Sequence, residues 1–513
     1  MNVSALRPAR LTAILALALG SSATGAEKPE DLLRFTNGDV IHGRFIGVEN
    51  GPRILWQRDD LANPVGFDAT KLRQLVFNAG RPANPLAEPS NAVLVNGDLL
   101  PGRIVKLTDS ALTLESTFGG TLEVPRNALA QLSPNPNGGQ LLYSGPFNTD
   151  GWSMPAEPNA KEPQAQEEGE AAHDPFARQR PIQPTNKPEK GDPWLFSGAA
   201  YYSNSTLPLI REVNMPDKAR FRFEISWKGR LNMSVGFHAD FKVPAQPAAG
   251  PPPPPQGGMF LGRGQQSFPH IFGNAYVLSF YSSYAQLWRC GFDDAGKPLA
   301  PERLQVGNAN LNLPESGSAT LEFRCDRKAK TIALFINDEF AMQWDEADGP
   351  YAGKGGGIGF ISTAGSNQVR VSEILVTAWN GMSDSARSME SREHDIVLLT
   401  NGTDRFAGKV GDIANGVVTL AGTYAEMRIP LGEVSEIRFA QSTRLATAQA
   451  PPRQASVRFF PLGRLSGQLL ASKDGVLSLE SPILGKVQVN LLYPVMFDFG
   501  SSRSFIDDWN AGF

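Results

Sequence analysis

Residues 331–344 read TIALFINDEFAMQW, and this stretch decides the fold. Ile332, Leu334 and Ile336 fall on one side of an extended chain and Phe335 on the other, the period of two that marks a strand. Asn337-Asp338 supplies a turn, and the chain runs back through EFAMQW. Upstream, ARFRFEISWKG at 219–229 repeats the pattern, with Phe221, Phe223 and Ile225 facing one way and Arg222 and Glu224 the other. Further short runs of this kind fill 139–380: LLYSGPF, WLFSGAAYYS, LNMSVGFHADF, NAYVLSFYS, YAQLWRC, ATLEFRCDR, GGIGFISTAG and VRVSEILVTAW. Short strands at regular spacing, with turn residues between them and no helical period, predict an all-β, two-sheet sandwich. Phe221, Phe223, Ile225, Ile332, Leu334 and Ile336 are its expected core. Two insertions interrupt it, 155–192 and 243–258, the second containing PPPPP. Both have too little apolar content to offset their ordering entropy, so mobile loops are expected there.

Outward from the sandwich the chain repeats itself. Four segments, 32–79, 91–134, 395–440 and 455–500, each read as a strand, a Gly turn, a strand through a second glycine, two more strands and a short apolar run. Asn37-Gly38 and Asn96-Gly97 suit a tight hairpin. The second glycines are Gly43, Gly102, Gly408 and Gly467, placed where a small barrel strand must bend. The spacing between the two glycines slips by one residue in the later copies, and the fourth has Leu462-Gly463 in place of Asn-Gly. The first two copies are expected to pack together ahead of the sandwich and the last two after it, joined by linkers at 78–90 and 440–454.

The N-terminus reads as an export signal. Arg7 and Arg10 precede the apolar run Leu11 to Leu19, which is too short to span a bilayer, and small residues follow. Removal of residues 1–26 is expected, and the mature chain belongs outside the cytoplasm: periplasmic, cell-surface or secreted. No later stretch has the apolar length of a membrane helix, so no membrane span is expected. Net charge is -4, which gives no basic field for a polyanion, so nucleic acid is not an expected partner. Cys290 and Cys325 are the only cysteines. In an exported chain they are open to two readings, a disulfide or two buried thiols.

The order of strands resembles the concanavalin A-like lectin/glucanase superfamily. FEISWKG, the TIALFINDEFAMQW hairpin and the closing GIGFISTAGSNQVRVSEILVT carry the resemblance. The closing pair is similar to the ending of laminin-G-like domains and of the 3-keto-disaccharide hydrolase-like domain of exported proteins in planctomycetes and their relatives. This implies a jelly-roll sandwich. The four flanking segments resemble SH3-like or Sm-like small β-barrels. No family catalytic residue matches a position here.

The chemistry is sparse. A retaining glucanase needs two carboxylates about 5 Å apart, and no strand carries acids at alternate positions. Asp345, Glu346 and Asp348 come nearest, and they read as a solvated turn after Trp344. The five histidines form no metal motif, so no metal site and no cofactor are expected. His238 and Asp240 share a strand face in GFHADF. Aromatic residues remain: Trp227, Tyr276, Phe280, Tyr281, Tyr284, Trp288 and Trp344 gather in the sandwich strands. Flat rings with polar neighbours bind sugars, and the same rings also build cores. The binding candidates are Trp288, with polar Gln286 and Arg289 beside it, then Tyr284, Tyr281, His238 and Asp240. The expectation is a non-catalytic exported protein that recognises carbohydrate or another exported protein through the sandwich. A divergent glycan-active hydrolase and a structural assembly protein are the rivals.

Overall fold

The computed structural model describes residues 30–49, 53–134, 140–155, 194–197, 199–203, 206–244, 268–281, 283–304, 309–311, 313–346, 350–362, 368–381, 390–446 and 454–499. The export signal at 1–26, and all but the first residues of 155–192 and 243–258, lie outside the described residues.

Each flanking segment forms five antiparallel strands in one order. In the first, Asp31–Phe35 pairs with both Val40–Glu49 and Leu72–Val76, and Arg53–Gln57 and Val65–Asp68 follow on from Val40–Glu49. The other three copy this pairing. Their registers coincide at the second glycine, which faces the first residue of the first strand: Asp31 with Gly43, Ser90 with Gly102, Asp395 with Gly408, Ala455 with Gly467. At this point the second strand leaves the first strand and joins the third. A Cβ would stand 2.6 Å from the Gln57 carbonyl oxygen at Gly43, 2.7 Å from that of Glu115 at Gly102, 2.4 Å from that of Ala421 at Gly408 and 2.6 Å from that of Glu480 at Gly467. Only glycine lets the crossing backbones approach so closely.

The repeats do not associate in sequence order. The last strand of the first pairs with that of the fourth (Leu75 with Phe497), and the last strand of the second pairs with that of the third (Leu132 with Ile437). Phe118 of the second stacks on Phe459 of the fourth at 4.2 Å. Leu33, Leu114, Val397 and Phe497, one from each repeat, belong to a single buried cluster. The expected grouping of neighbours in sequence gives way because each last strand has a free edge, and edges of matching shape pair wherever the chain brings them.

The sandwich is antiparallel. Its first sheet runs Trp194–Ser197, Ala200–Ser203, Gln368–Ala378, Lys218–Lys228, Gly317–Asp326, Thr331–Ile336, Glu339–Asp345, with Leu141–Gly145 also on Gln368–Ala378. The second runs Trp152–Ser153, Leu209–Glu212, Gly357–Ser362, Asn232–Ala239, Ala275–Tyr281, Tyr284–Cys290, Glu302–Arg303. Between them Phe221, Phe223, Ile225, Ile332 and Leu334 are buried against Val235, Phe237, Leu278 and Phe360, and Phe223 meets Phe360 edge to face at 5.1 Å. Ile336 is only half-buried, because it stands beside the turn at the open end of its strand.

The first sheet turns a charged outer face toward the repeats. Glu322 accepts from Arg220 at 2.8 Å, Arg222 at 3.2 Å and Arg324 at 2.7 Å, and these arginines hold its carboxyl down at about 2 despite burial. Arg458 of the fourth repeat pairs with Glu373, and Arg370 donates to Glu224 at 3.0 Å. A cavity of about 430 Å³, lined by Arg220, Arg222, Arg324, Glu390, Glu436 and Arg438 among others, lies between sandwich and repeats. Phe335 is buried on this same face, beneath the Arg324 guanidinium at 4.0 Å.

Candidate functional site

With one outer face of the sandwich turned to the repeats, the outer face of the second sheet is the one left for a ligand. Strand register divides it into rows. Asn232, Tyr281 and Tyr284 form the first row, Ser234, Ser279 and Gln286 the second, Gly236, Val277 and Trp288 the third. Inward neighbours Met233, Val235, Leu278, Phe280 and Leu287 fill the core, so the row residues point outward.

The third row is closed. The short helix Phe268–Phe272 lies across it, and Phe272 occupies the space that Gly236 and Gly359 leave: a Cβ would meet its ring at 2.5 Å and 2.8 Å respectively. Trp288 is therefore only 6% exposed, packed with Phe268, Ile271, Phe272 and Val277. The reading of Trp288 as the exposed ring is corrected. Its polar neighbours Gln286 and Arg289 could not reveal a cover supplied by a distant helix. In the second row the hydroxyls of Ser234 and Ser279 are buried and hydrogen-bonded to each other at 2.8 Å, while Gln286 at the row's end is half-buried.

The first row keeps its rings accessible. Tyr281 and Tyr284 flank a hairpin and stack at 4.8 Å with 29° between planes, both half-buried. Asn232 stands directly across from Tyr281, and Gln286 is two residues on from Tyr284, so carboxamides border the rings. Flat faces edged by amide donors and acceptors can hold a sugar's C–H face and its hydroxyls.

His238 and Asp240 do other work. His238 is buried with φ 50, which breaks the strand phase and separates it from Asp240. Arg327 can only donate, so its 2.8 Å contact makes His238 Nδ1 the acceptor and places the proton on Nε2. Burial, then the Arg327 charge, push the imidazole down to about 3, so it stays neutral. Asp240 accepts from the Asn274 amide at 2.9 Å, the Asn274 side chain at 2.8 Å and the Lys242 amide at 3.1 Å, which ties down the turn. Neither is offered to a ligand.

Cys290 and Cys325 are free thiols. Cys290 lies in the outward cluster with Trp288, while Cys325 lies between the sheets, so opposite strand phases keep them apart. Burial pushes both thiols up to about 12, which makes them inert. The other aromatics, Trp227, Tyr276, Phe280 and Trp344, are core.

The acidic segment after Trp344 differs from the expected solvated turn. Asp345 is exposed, but Glu346 is buried, accepting from the Tyr276 hydroxyl and, at 2.5 Å, from Arg289, which also pairs with Glu302. Asp348 lies outside the described residues. The missed signal was Arg289, which alternation places inward, on the strand side that needs a buried counter-charge. Among the described residues no group of three or more His, Cys, Asp and Glu is placed to hold a metal ion. None of their helices is long and apolar enough to cross a membrane. A second cavity, about 470 Å³, is lined by Tyr143, Phe147, Phe460 and Arg211, but Arg211 covers the Tyr143 ring at 4.4 Å.

No family model matches the chain. No curated protein matches it either. Solved structures do. The carbohydrate-binding module CBM66 from Bacillus subtilis aligns at 8% identity and TM-score 0.24, over 36% of this chain and 91% of that one. Galectin LEC-6 from Caenorhabditis elegans aligns at 11% and 0.20, over 34% and 94%. A protein provisionally described as a glycosyl hydrolase, from Parabacteroides distasonis, aligns at 9% and 0.23, over 36% and 90%. The strand pairings define the chain as all-β, with an antiparallel jelly-roll sandwich set on β repeats.

Proposed function

We propose that the chain is an exported recognition protein that binds carbohydrate on the outer face of the second sandwich sheet, at Tyr281 and Tyr284. The stacked, half-exposed tyrosine pair carries this reading. It is supported by the position of that face, turned away from the repeats, and by the Asn232 and Gln286 amides beside the rings. The repeats, which resemble SH3-like barrels, serve as the platform that orients the sandwich.

Glu346 favours a second reading, a glycan-active hydrolase. Burial pushes its carboxyl up to about 7, the range of a general acid. Against that reading, both of its oxygens are already engaged, by Tyr276 and Arg289. A glycan array probed with the full chain separates the two. Retention of intact glycans supports recognition. Release of shortened products, abolished by Glu346→Gln in a folded protein, would establish the hydrolase instead.

A further inference from the structure

Repeats two and four meet at one turn and one strand start. In the Asn96-Gly97-Asp98 turn, Asn96 Nδ2 donates to Asp98 Oδ2 at 2.9 Å and the Asp98 amide donates to Asn96 Oδ1 at 3.1 Å. Asp98 is fully buried, because its Oδ1 accepts the Ser466 amide of repeat four at 3.0 Å. Arg464 donates to the Gly97 carbonyl and pairs with Leu99. Leu99 and Arg464 are equivalent positions, each three residues before the second glycine, Gly102 or Gly467. The contact therefore joins the same strand start of two repeats, antiparallel, with one turn carboxylate as its anchor.

Repeats one and three carry the same parts, and among the described residues no strand pairing joins them. The Asn37-Gly38-Asp39 turn has the same internal bonds, at 2.7 Å and 3.1 Å, yet Asp39 is exposed. Val40, the counterpart of Leu99, is 38% exposed, although apolar. In repeat three, Arg405 stands three residues before Gly408, as Arg464 does before Gly467, and Ala407 takes the place of Ser466. Both Arg405 and Ala407 are exposed. Ala407 faces Ile396 as Ser466 faces Ser456, so its amide is turned away from its own neighbouring strand in the same way.

We propose that the chain associates with a second copy of itself through these surfaces, repeat one of one copy docking on repeat three of the other. Val40 lies against Arg405, the Asp39 carboxylate accepts the Ala407 amide, and Arg405 donates to the Gly38 carbonyl. Asp39 and Arg405 bring opposite charges to the contact, and the apolar Val40 gains cover. The two surfaces differ: if both pairs form between two copies the assembly closes as a two-fold dimer, and otherwise the contact is heterologous and extends into a chain. This association is independent of any sugar binding.

Sedimentation equilibrium of the full chain over a concentration series tests it, with melts by circular dichroism to show that each variant folds. The wild type should gain weight-average mass as concentration rises. Asp39→Arg and Arg405→Asp, each alone, should weaken association roughly tenfold or more, because the first removes the acceptor of the Ala407 amide and the second the donor to the Gly38 carbonyl. Val40→Asp, on an exposed side chain, should also weaken it and stands in if either charge reversal unfolds. A wild type that stays monomeric up to its solubility limit overturns the proposal. So does association that none of these variants changes.

Discussion

Single side chains show how far the alternation of apolar residues reaches. It placed Phe223 in the core, and there the ring is fully buried between sheets. Phe223→Ala should cost about 3–5 kcal/mol in urea unfolding, since it removes a ring and leaves a cavity. A loss below about 1 kcal/mol would mean the sheets are not packed as described. His238 could not be read the same way, because its positive φ takes it out of strand phase. Its imidazole titrates near 3 folded against 6.5 ordinarily. Between those values the unfolded chain binds a proton that the folded chain refuses. Stability linked to His238 is thus fully present above 6.5 and is lost as pH falls toward 3. The stability of wild type relative to His238→Asn should shrink by about 2 kcal/mol between about pH 7 and pH 5. A difference that stays constant across that range would show that the ring is not held neutral.

At the scale of strands, the four second glycines were legible as bends from their recurrence alone. The cause is a carbonyl of the third strand at 2.4 to 2.7 Å from where each Cβ would sit. Gly467→Ala should therefore destabilise by about 1–3 kcal/mol through overpacking. Gly432→Ala is the control, with nothing within 4 Å of its Cβ, and should be neutral or mildly stabilising. Equal effects at both positions in thermal melts would remove the steric explanation. Elements that depend on distant cover were not legible. Trp288 sits on a strand whose own neighbours are polar, and a helix that begins twenty residues before it in the chain buries it. Arg220, Arg222 and Arg324 line the cavity toward the repeats, and charge alternation along a strand looks the same whether water or a domain lies beyond it.

In the whole molecule, repeats at the two ends of the chain share one buried cluster, with the sandwich inserted between them. Local patterns revealed four similar units, but the pairing of first with fourth and second with third is set by edges far apart in sequence, which no local period encodes. Cutting the chain at a protease site engineered into 156–193 should leave both pieces together through gel filtration without denaturant. Separation of the pieces would contradict the shared core. The proposed recognition surface is the tyrosine row on the outer face of the second sandwich sheet. Its most direct measurement is calorimetric titration of the full chain, wild type and Tyr281→Ala/Tyr284→Ala, with the strongest glycan found on the array. We expect the double variant to fold normally and to bind at least roughly tenfold more weakly, the loss of two stacking rings. Unchanged affinity in the folded double variant would place the binding surface elsewhere and contradict the account.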